Sequence, residues 1–402
     1  MSDHRDLRLG TVPASGTVHW VGAGLSTGRT GLALLCARAD RVVVWGRNAQ
    51  RVAARMEALG LSGRVDVRAL ESAALASRLR LGDVVVSMLP AGEHPALLRL
   101  CRERGAHFAC SSYVSDALVE AAAGAADQGV VVLTEAGLDP GIDHLAAHLL
   151  VGRARAEAGD RAEAVSFTSY CGGLPAVPDD FRYRFSWAPL GVLTALRAPA
   201  RHIEGGREVT TALPWQAARR HRIGAEMFEV YPNRDSLPFV GQYGLPAGWR
   251  LETFVRGTVR NEGWLRAWQP VFEVVRGGNA DRIGRLADEL AERHPMRAGD
   301  RDRIVLSVRL EVRASGRHWS GEYRLDLTGD ATESAMARCV SLPLAHGVTR
   351  ILSRAAAPGL HRAAEEASEA DRWLTALAEY GVSLEFDGTP ERVAVPGGPG
   401  RG

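Results

Sequence analysis

The sequence predicts an α/β fold: a doubly wound parallel sheet, followed by a second domain of mixed-sheet α+β type. Three observations predict it. Short apolar runs alternate with helically spaced stretches over about 120 residues, as βαβ units do when helices must cover both faces of a sheet. A Gly22-x-Gly24 turn follows the first run directly and opens a helix, the context that makes a dinucleotide-binding (Rossmann) turn credible. Beyond Leu150 the rhythm changes to longer runs of alternating polar and apolar residues, which suit strands with one face in a core.

Residues 1–16 read as a loose leader. The first strand is expected at Thr17 to Val21, with a helix from the glycine turn through about Ala39. Further strands are expected at Val42 to Trp45, Val65 to Val67, Val84 to Val86, His107 to Cys110 and Val130 to Leu133. Helices between them are expected at Ala49 to Leu59, Glu71 to Leu79, Pro95 to Arg104 and Ser115 to Gln128. In the second half, Ala164 to Tyr170, Leu251 to Val259, Ile304 to Val312 and His318 to Leu327 read as strands. The loop Arg313 to Arg317 marks the last pair as a hairpin. Ala331 to Leu352 and Asp371 to Tyr380 read as helices, the first bending or breaking near Pro343. The run Arg219 to Arg222 reads as a solvated turn. These elements divide the chain into a nucleotide domain at 17–136, a substrate domain at 137–345, C-terminal helices packing back on the first domain at 346–390, and a glycine- and proline-rich tail at 391–402, expected to be disordered.

Composition narrows the function. A chain of 402 residues exceeds what one core usually organises, so two domains are the default. The 49 basic and 47 acidic residues leave a net charge of +2, which gives no reason to expect a nucleic acid or an anionic membrane as partner. No apolar run approaches the roughly 20 residues that span a bilayer, and Met1 to Gly10 lacks the apolar core of a secretory signal. Five scattered cysteines with no CxxC pair fit a reduced, cytoplasmic setting. All 49 basic residues are arginine. A lysine Schiff base and a Walker-type phosphate lysine are therefore excluded, and anions must be held by guanidinium forks, hydroxyls or backbone amides.

The residues at the carboxyl ends of the expected strands point to a cofactor edge, where open α/β sheets place their ligands. Gly22 and Gly24 let the backbone turn tightly and bring amides to a diphosphate; the alternative is a purely structural turn. Thr27 stands where a glycine or alanine usually completes the motif. Arg47, just past the second strand, suits a 2′-phosphate and so NADP, or else is a solvated arginine at a strand end. Ser87 and Ser111 are either cofactor contacts or cap and turn residues. The Tyr113 phenol can donate a proton near a nicotinamide. Glu135-Ala-Gly-Leu-Asp139-Pro-Gly-Ile-Asp143-His144 is a strand-to-helix turn that brings carboxylates, a histidine and fresh helix amides to the seam between the two kinds of sequence, and we read that seam as an active site. Asp139, Asp143, His144 and His148 also raise a metal site, since residues four apart share a helix face, although the family resemblance described next implies a motif without a metal.

That motif, with Ser87-Met88-Leu89-Pro90, Ser112-Tyr113-Val114-Ser115, Ser169 to Pro175, Phe185-Ser186-Trp187, Tyr231 to Ser236 and Thr253 to Arg260, resembles the glutamate-forming saccharopine dehydrogenases (saccharopine reductases) from about Val18 to Val382. The resemblance implies an NADP-dependent oxidoreductase acting at a carbon–nitrogen bond, in which glutamate condenses with aminoadipate semialdehyde and the imine is reduced to saccharopine. It implies a homodimer in lysine metabolism, with amino acid substrates as partners. Carried over by position, it places Tyr113, Asp139 and Cys171 beside the reacting carbon, Asp139 as base or as ammonium holder and Cys171 as participant or packed neighbour. Cofactor contacts fall on Gly22, Gly24, Leu25, Ser26, Thr27, Arg47, Ser87, Met88, Leu89, Pro90 and Ser111. Substrate contacts fall on Ser112, Tyr113, Asp139, Arg234, Arg256, Thr258 and Arg260. Saccharopine carries three carboxylates, and without lysine the clamps must be guanidiniums, each charge-assisted bond worth roughly 1.5–3 kcal/mol. Arg256 and Arg260, four apart on a strand, share a face. Ser26-Thr27 and Asn261 depart from the family pattern, the latter where an aromatic is common, and leave open a different aldehyde and amine pair. A carboxypolyamine-type dehydrogenase and a catalytically silent NADP-binding scaffold are the alternatives, and both sit poorly with a charged cleft.

Overall fold

The computed structural model describes residues 10–185, 189–297, 299–388 and 390–391. The tail from residue 392 and two residues of the Phe185 motif, Ser186 and Trp187, lie outside the described residues. The chain divides into two compact units. One comprises 1–144, 329–364 and 373–382, the other 145–328, 365–372 and 383–402.

In the first unit β1 (Thr17–Val21), α1 (Arg29–Arg38), β2 (Arg41–Gly46), α2 (Ala49–Ala58), β3 (Asp66–Ala69), α3 (Ser72–Arg78), β4 (Val84–Ser87), α4 (His94–Glu103), β5 (His107–Cys110), α5 (Asp116–Ala122) and β6 (Val131–Leu133) follow the expected alternation. The expected helix after Ser115 is shorter than the sequence suggests. It ends at Ala122, and Gly124 and Gly129, both at positive φ, turn the chain back toward β6. All the sheet's pairings are parallel, with strands in the order β15-β6-β5-β4-β1-β2-β3. Seamless apolar strands such as Val84-Val85-Val86 are wholly buried, as strands covered on both faces must be. The leader is ordered where described: Val12 N donates to Gly129 O at 2.8 Å and Ser15 N to Gly82 O at 2.8 Å.

From α6 (Ile142–Ala158) the chain enters the second unit. Its long strands are β7 (Arg161–Pro175), β12 (Gly248–Asn261), β13 (Asp302–Ala314) and β14 (Arg317–Thr328). Between β7 and β12 come α7 (Pro189–Ala195), β8 (Ala200–Glu204), β9 (Arg207–Thr211), β10 (Arg219–Ile223), β11 (Glu226–Pro232) and α8 (Pro238–Gln242). Helices α9 (Trp264–Ala267), α10 (Gln269–Gly277) and α11 (Ala280–Arg293) follow β12. The ten-stranded sheet is mixed: β12 runs parallel to β7, and β13 runs antiparallel to it. The β13–β14 hairpin closes through only Ser315 and Gly316, at φ 51 and 73, the paired positive angles of a type I′ turn. Arg219 to Arg222 is not a turn. It forms β10, an outer strand pairing antiparallel with β11, with Arg219, Arg220 and Arg222 exposed as edge charges.

After β14, α12 (Ala335–Leu352) belongs to the first unit and continues as one helix through Pro343, where a bend or a break was expected, so it does not break there. Then β15 (Gly359–His361), α13 (Ala367–Ala378), β16 (Glu385–Asp387) and β17 (Pro390–Glu391) complete the chain. Helix α12 lies so close to α1 that a Cβ on Gly31 would stand 2.4 Å from Ser341 O. Strand β15 adds a seventh, edge strand to the parallel sheet, beside β6.

Candidate active site

At the carboxyl ends of the parallel strands the glycine turn is built by its own side chains. Gly22 sits at φ 105, where a Cβ would come within 3.0 Å of the Met88 backbone. Its N donates to Trp45 O, and Met88 N donates to Val21 O, so the ends of β1, β2 and β4 are tied together. Thr27 is buried: its hydroxyl donates to Gly22 O (3.2 Å) and accepts from Trp20 Nε1 (3.2 Å). It holds the turn from within. Arg55, which sequence reasoning missed, donates from Nη2 to Thr27 O at 2.8 Å. Gly24 faces open space, with nothing within 4 Å of a would-be Cβ, and Leu25 beside it is 54% exposed. An exposed turn with a bare glycine fits the close approach of a dinucleotide diphosphate. Arg47 is exposed just past β2. Glu333 accepts from Thr30 N at 3.0 Å and so caps α1, a long-range contact with no sequence signal.

Next along the same edge, His94 joins two strand ends. Ser87 Oγ lies 2.9 Å from His94 Nδ1, and Ser112 Oγ lies 2.8 Å from His94 Nε2. His94 is buried against the edge of Phe108, and burial pulls its pKa down to about 4. Met88 and Leu89 are half-buried and Pro90 exposed. Ser111 packs against the loop at Gly137, where a Cβ would meet its own Cβ at 2.8 Å.

The Glu135–His144 stretch folds into a tight loop. Gly137 N donates to Pro140 O, Ile142 N to Gly137 O and Asp143 N to Leu138 O. Gly141, at φ 145, has Gly137 O only 2.0 Å from a would-be Cβ, so no other residue fits. The Asp139–Pro140 bond is cis. Glu135 is held at φ 52, a strained angle for a side chain of its size, and is buried. Its carboxylate accepts from Val114 N (3.1 Å) and lies 3.3 Å from His144 Nδ1 and 3.2 Å from Arg362 Nε; Asp143 Oδ2 lies 3.4 Å from His144 Nε2. This buried charge cluster anchors the loop, which presents Asp139 to Tyr113. The Tyr113 hydroxyl donates to Asp139 Oδ1, and both residues are only partly buried. Tyr113 and Asp139, both named from the sequence, thus meet at hydrogen-bond distance.

In the second unit, strand alternation puts Arg256, Thr258 and Arg260 on one face of β12. Register sets Arg256 against Ser169 and Thr258 against Cys171 of β7, and Thr258 against Tyr231 of β11. Gly172 is required beside Cys171 because a Cβ would meet Val259 O at 2.3 Å. Cys171 itself is buried in this sheet. The Arg256 guanidinium lies 4.0 Å over the Phe239 ring. Arg234 is exposed, at φ 58, in the turn after β11, where Asn233 N donates to Arg256 O at 2.9 Å.

Arg260 is 6% exposed and walled by Tyr183, Tyr231 and Trp264, whose ring centres lie 5.0, 5.6 and 5.5 Å from its guanidinium carbon. Nη1 donates to Val259 O at 3.0 Å and Nε finds no acceptor. Among the described residues no carboxylate pairs with it. Cation–π contacts return about 0.5–2 kcal/mol each, whereas an uncompensated buried charge costs several kcal/mol. The Arg260 guanidinium thus keeps bonding capacity that the aromatic walls do not fill. A separate cavity of about 220 Å³ lies toward the starts of β1 and β2, lined by His19, Arg41, Trp45, Arg68 and Asp83 among others. There Trp45 Nε1 donates to His19 Nδ1, and His19 Nε2 and Ser15 Oγ donate to Asp83. That network is closed on itself and lies away from the cofactor edge.

Comparison with known proteins bears on both units. Residues 18–133 match the saccharopine dehydrogenase NADP binding domain, and residues 137–382 match the saccharopine dehydrogenase C-terminal domain. The saccharopine dehydrogenase [NADP(+), L-glutamate-forming] of Pyricularia oryzae is 36% identical over 200 residues, 48% of this chain and 43% of that protein. Its Saccharomyces cerevisiae counterpart is 36% identical over 209 residues, 50% of this chain and 46% of that protein. The bovine mitochondrial alpha-aminoadipic semialdehyde synthase is 36% identical over 201 residues, 48% of this chain and 21% of that protein. The matched stretch is thus about half of this chain and less than half of each relative. The solved apo saccharopine dehydrogenase (L-Glu forming) from S. cerevisiae superposes with TM-score 0.78 at 25% identity, over 93% of this chain and 99% of that one. The Legionella pneumophila homospermidine synthase shares the fold (TM-score 0.63, 12% identity, 94% and 92% covered).

Proposed function

The chain belongs to the saccharopine dehydrogenase family, and we propose that it reduces the imine formed between glutamate and aminoadipate semialdehyde to saccharopine, or runs that reaction in reverse. NADP is the cofactor, in keeping with the family's NADP-binding domain over 18–133. The observation that carries the substrate class is Arg260, a buried guanidinium in an aromatic cage with no carboxylate of its own among the described residues. A substrate carboxylate completes it, and Arg256 on the same strand face holds a second. A polyamine would bring another cation to the same walls, which disfavours that alternative.

Gly24 and the exposed turn around it take the diphosphate, and Arg47 takes the 2′-phosphate. NADPH, when bound, supplies the hydride. The chain's own residues manage protons. Asp139 holds or deprotonates the substrate ammonium so that its nitrogen can attack the aldehyde. Tyr113, hydrogen-bonded to Asp139, passes a proton to the departing hydroxyl as the imine forms. Cys171 packs beside Thr258 and forms no covalent bond to substrate in this scheme.

A second reading keeps the chemistry and changes the pair. Asn261, where the family commonly has an aromatic, has a buried Nδ2 without an acceptor, which would suit a substrate bearing one more acceptor group. The test is NADPH consumption with glutamate and aminoadipate semialdehyde, run beside a panel of other amino acids and aldehydes, and NADP reduction with saccharopine. Turnover with dicarboxylic partners and none with polyamines is expected. Turnover only with substrates lacking carboxylates would overturn the proposal.

A further inference from the structure

The histidine at the cofactor edge is usually the first candidate for an acid or base. Its bonding argues for a different task. A neutral imidazole has one N–H and one bare nitrogen, so it can donate to only one of the two serines that flank His94. Ser87 is 1% exposed, and among the described residues its hydroxyl's one hydrogen bond is to His94 Nδ1. If Nδ1 carried the proton, the Ser87 hydroxyl hydrogen would be buried without an acceptor, the costly side of the hydrogen-bond ledger. If Ser87 donates to Nδ1, every group is satisfied. The ring proton then sits on Nε2 and is donated to Ser112 Oγ at 2.8 Å. Ser112 is left with its own O–H for a ligand. Its backbone is fixed separately, since Glu135 N donates to Ser112 O at 3.2 Å. Burial among apolar neighbours, including Phe108, keeps the ring neutral to about pH 4, so the chain of bonds keeps one direction through the working range.

We propose that His94 is a positioning residue that, as the Nε2–H tautomer, couples Ser87 to Ser112 and makes Ser112 a hydrogen-bond donor to a carbonyl or carboxylate oxygen of the bound ligand. This rests on the reductase reading for what the ligand is, but the tautomer does not. Next to Ser112 the Tyr113 proton is already committed to Asp139. Before substrate binds, Ser112 therefore holds the proton free for a ligand, and the Tyr113 proton becomes available only as Asp139 takes up a proton from the substrate.

The decisive experiment is long-range proton–nitrogen correlation NMR on the full-length protein with nitrogen-15 histidine, assigned by difference against His94→Gln. The expected result is a neutral ring protonated at Nε2 from pH 8 down to about 5. A ring protonated at Nδ1, or a cation at neutral pH, overturns the proposal. A kinetic arm tests the coupling to Ser112. Ser112→Ala and His94→Phe should each lower kcat/KM about tenfold, the double variant should be no worse than the worse single one, and His94→Gln, which keeps an amide donor near Nε2, should recover part of the loss. Losses that multiply in the double variant overturn the coupling. NADPH affinity measured alone identifies the oxygen contacted: weaker NADPH binding in Ser112→Ala marks the nicotinamide amide, and a raised KM for amino acid at unchanged NADPH affinity marks a substrate carboxylate. A protein inactive with every substrate pair would sink the reductase reading and leave the NMR result to decide the rest.

Discussion

The first unit's proposed machinery is already satisfied within itself, whereas the second unit's is not. Around the glycine turn and the 135–144 loop, Thr27, Ser87, His94, Ser112, Tyr113, Asp139 and Glu135 each have a partner at hydrogen-bond or ion-pair distance. In the second unit Arg260 is buried with aromatic walls and, among the described residues, no anionic partner. The difference teaches where each kind of binding free energy is spent. A preorganised network orients protons at little cost during reaction, while an uncompensated charge costs stability until a substrate neutralises it.

The largest expected effect tests the satisfied side. Asp139→Asn removes the proton acceptor from Tyr113 and should lower kcat by about 10²–10⁴, while NADPH affinity, measured by fluorescence titration, stays within about twofold. Equal losses in both would make Asp139 a fold residue. Acid should loosen the same side next. Burial holds His94 and His346 at about 4, below their ordinary 6.5. The unfolded chain therefore takes up protons as pH falls through 6.5 while the folded chain does not, so stability present above 6.5 is lost between 6.5 and 4, by about 3 kcal/mol for His94. Hydrogen exchange on acidification should rise first in β4, β5 and α12. His202 and His221, also lowered chiefly by burial but less far, should matter less in the second unit.

On the unsatisfied side, Arg260→Met should raise thermal stability, by about 1–4 kcal/mol, while abolishing saccharopine turnover; a fall in melting temperature would mean the cage already compensates the charge. The smallest contrast lies within the glycine turn. Gly28→Ala would drive a Cβ to 2.2 Å from Glu333 Oε1 and 2.7 Å from Ala337 O and should cost about 1–3 kcal/mol in denaturant titration. Gly24→Ala meets nothing within 4 Å and should leave stability unchanged while weakening NADPH binding.

Much of the first unit was legible because parallel strands buried on both faces read as unbroken apolar runs, Val84-Val85-Val86 being the plainest. The pairing of Tyr113 with Asp139 was legible only through the motifs that contain them. Strand β15 was not: three residues carry no period, and their place is set by pairing with β6 across more than two hundred residues of chain. Strand β10 misled because edge strands carry charge on their exposed positions, which locally resembles a turn. Thr27 looked like a departure from the glycine motif. Its buried hydroxyl, bonded to Trp20 and Gly22, shows the side chain completing the turn instead, something no spacing rule reveals.

Isothermal titration of saccharopine into the NADP-loaded protein and its Arg260→Met variant tests the guanidinium clamp most directly. Saturable binding by the first and its loss from a variant that still folds and still binds NADP is the predicted result. Equal affinity in the two proteins would contradict it, because the buried guanidinium would then hold no substrate carboxylate.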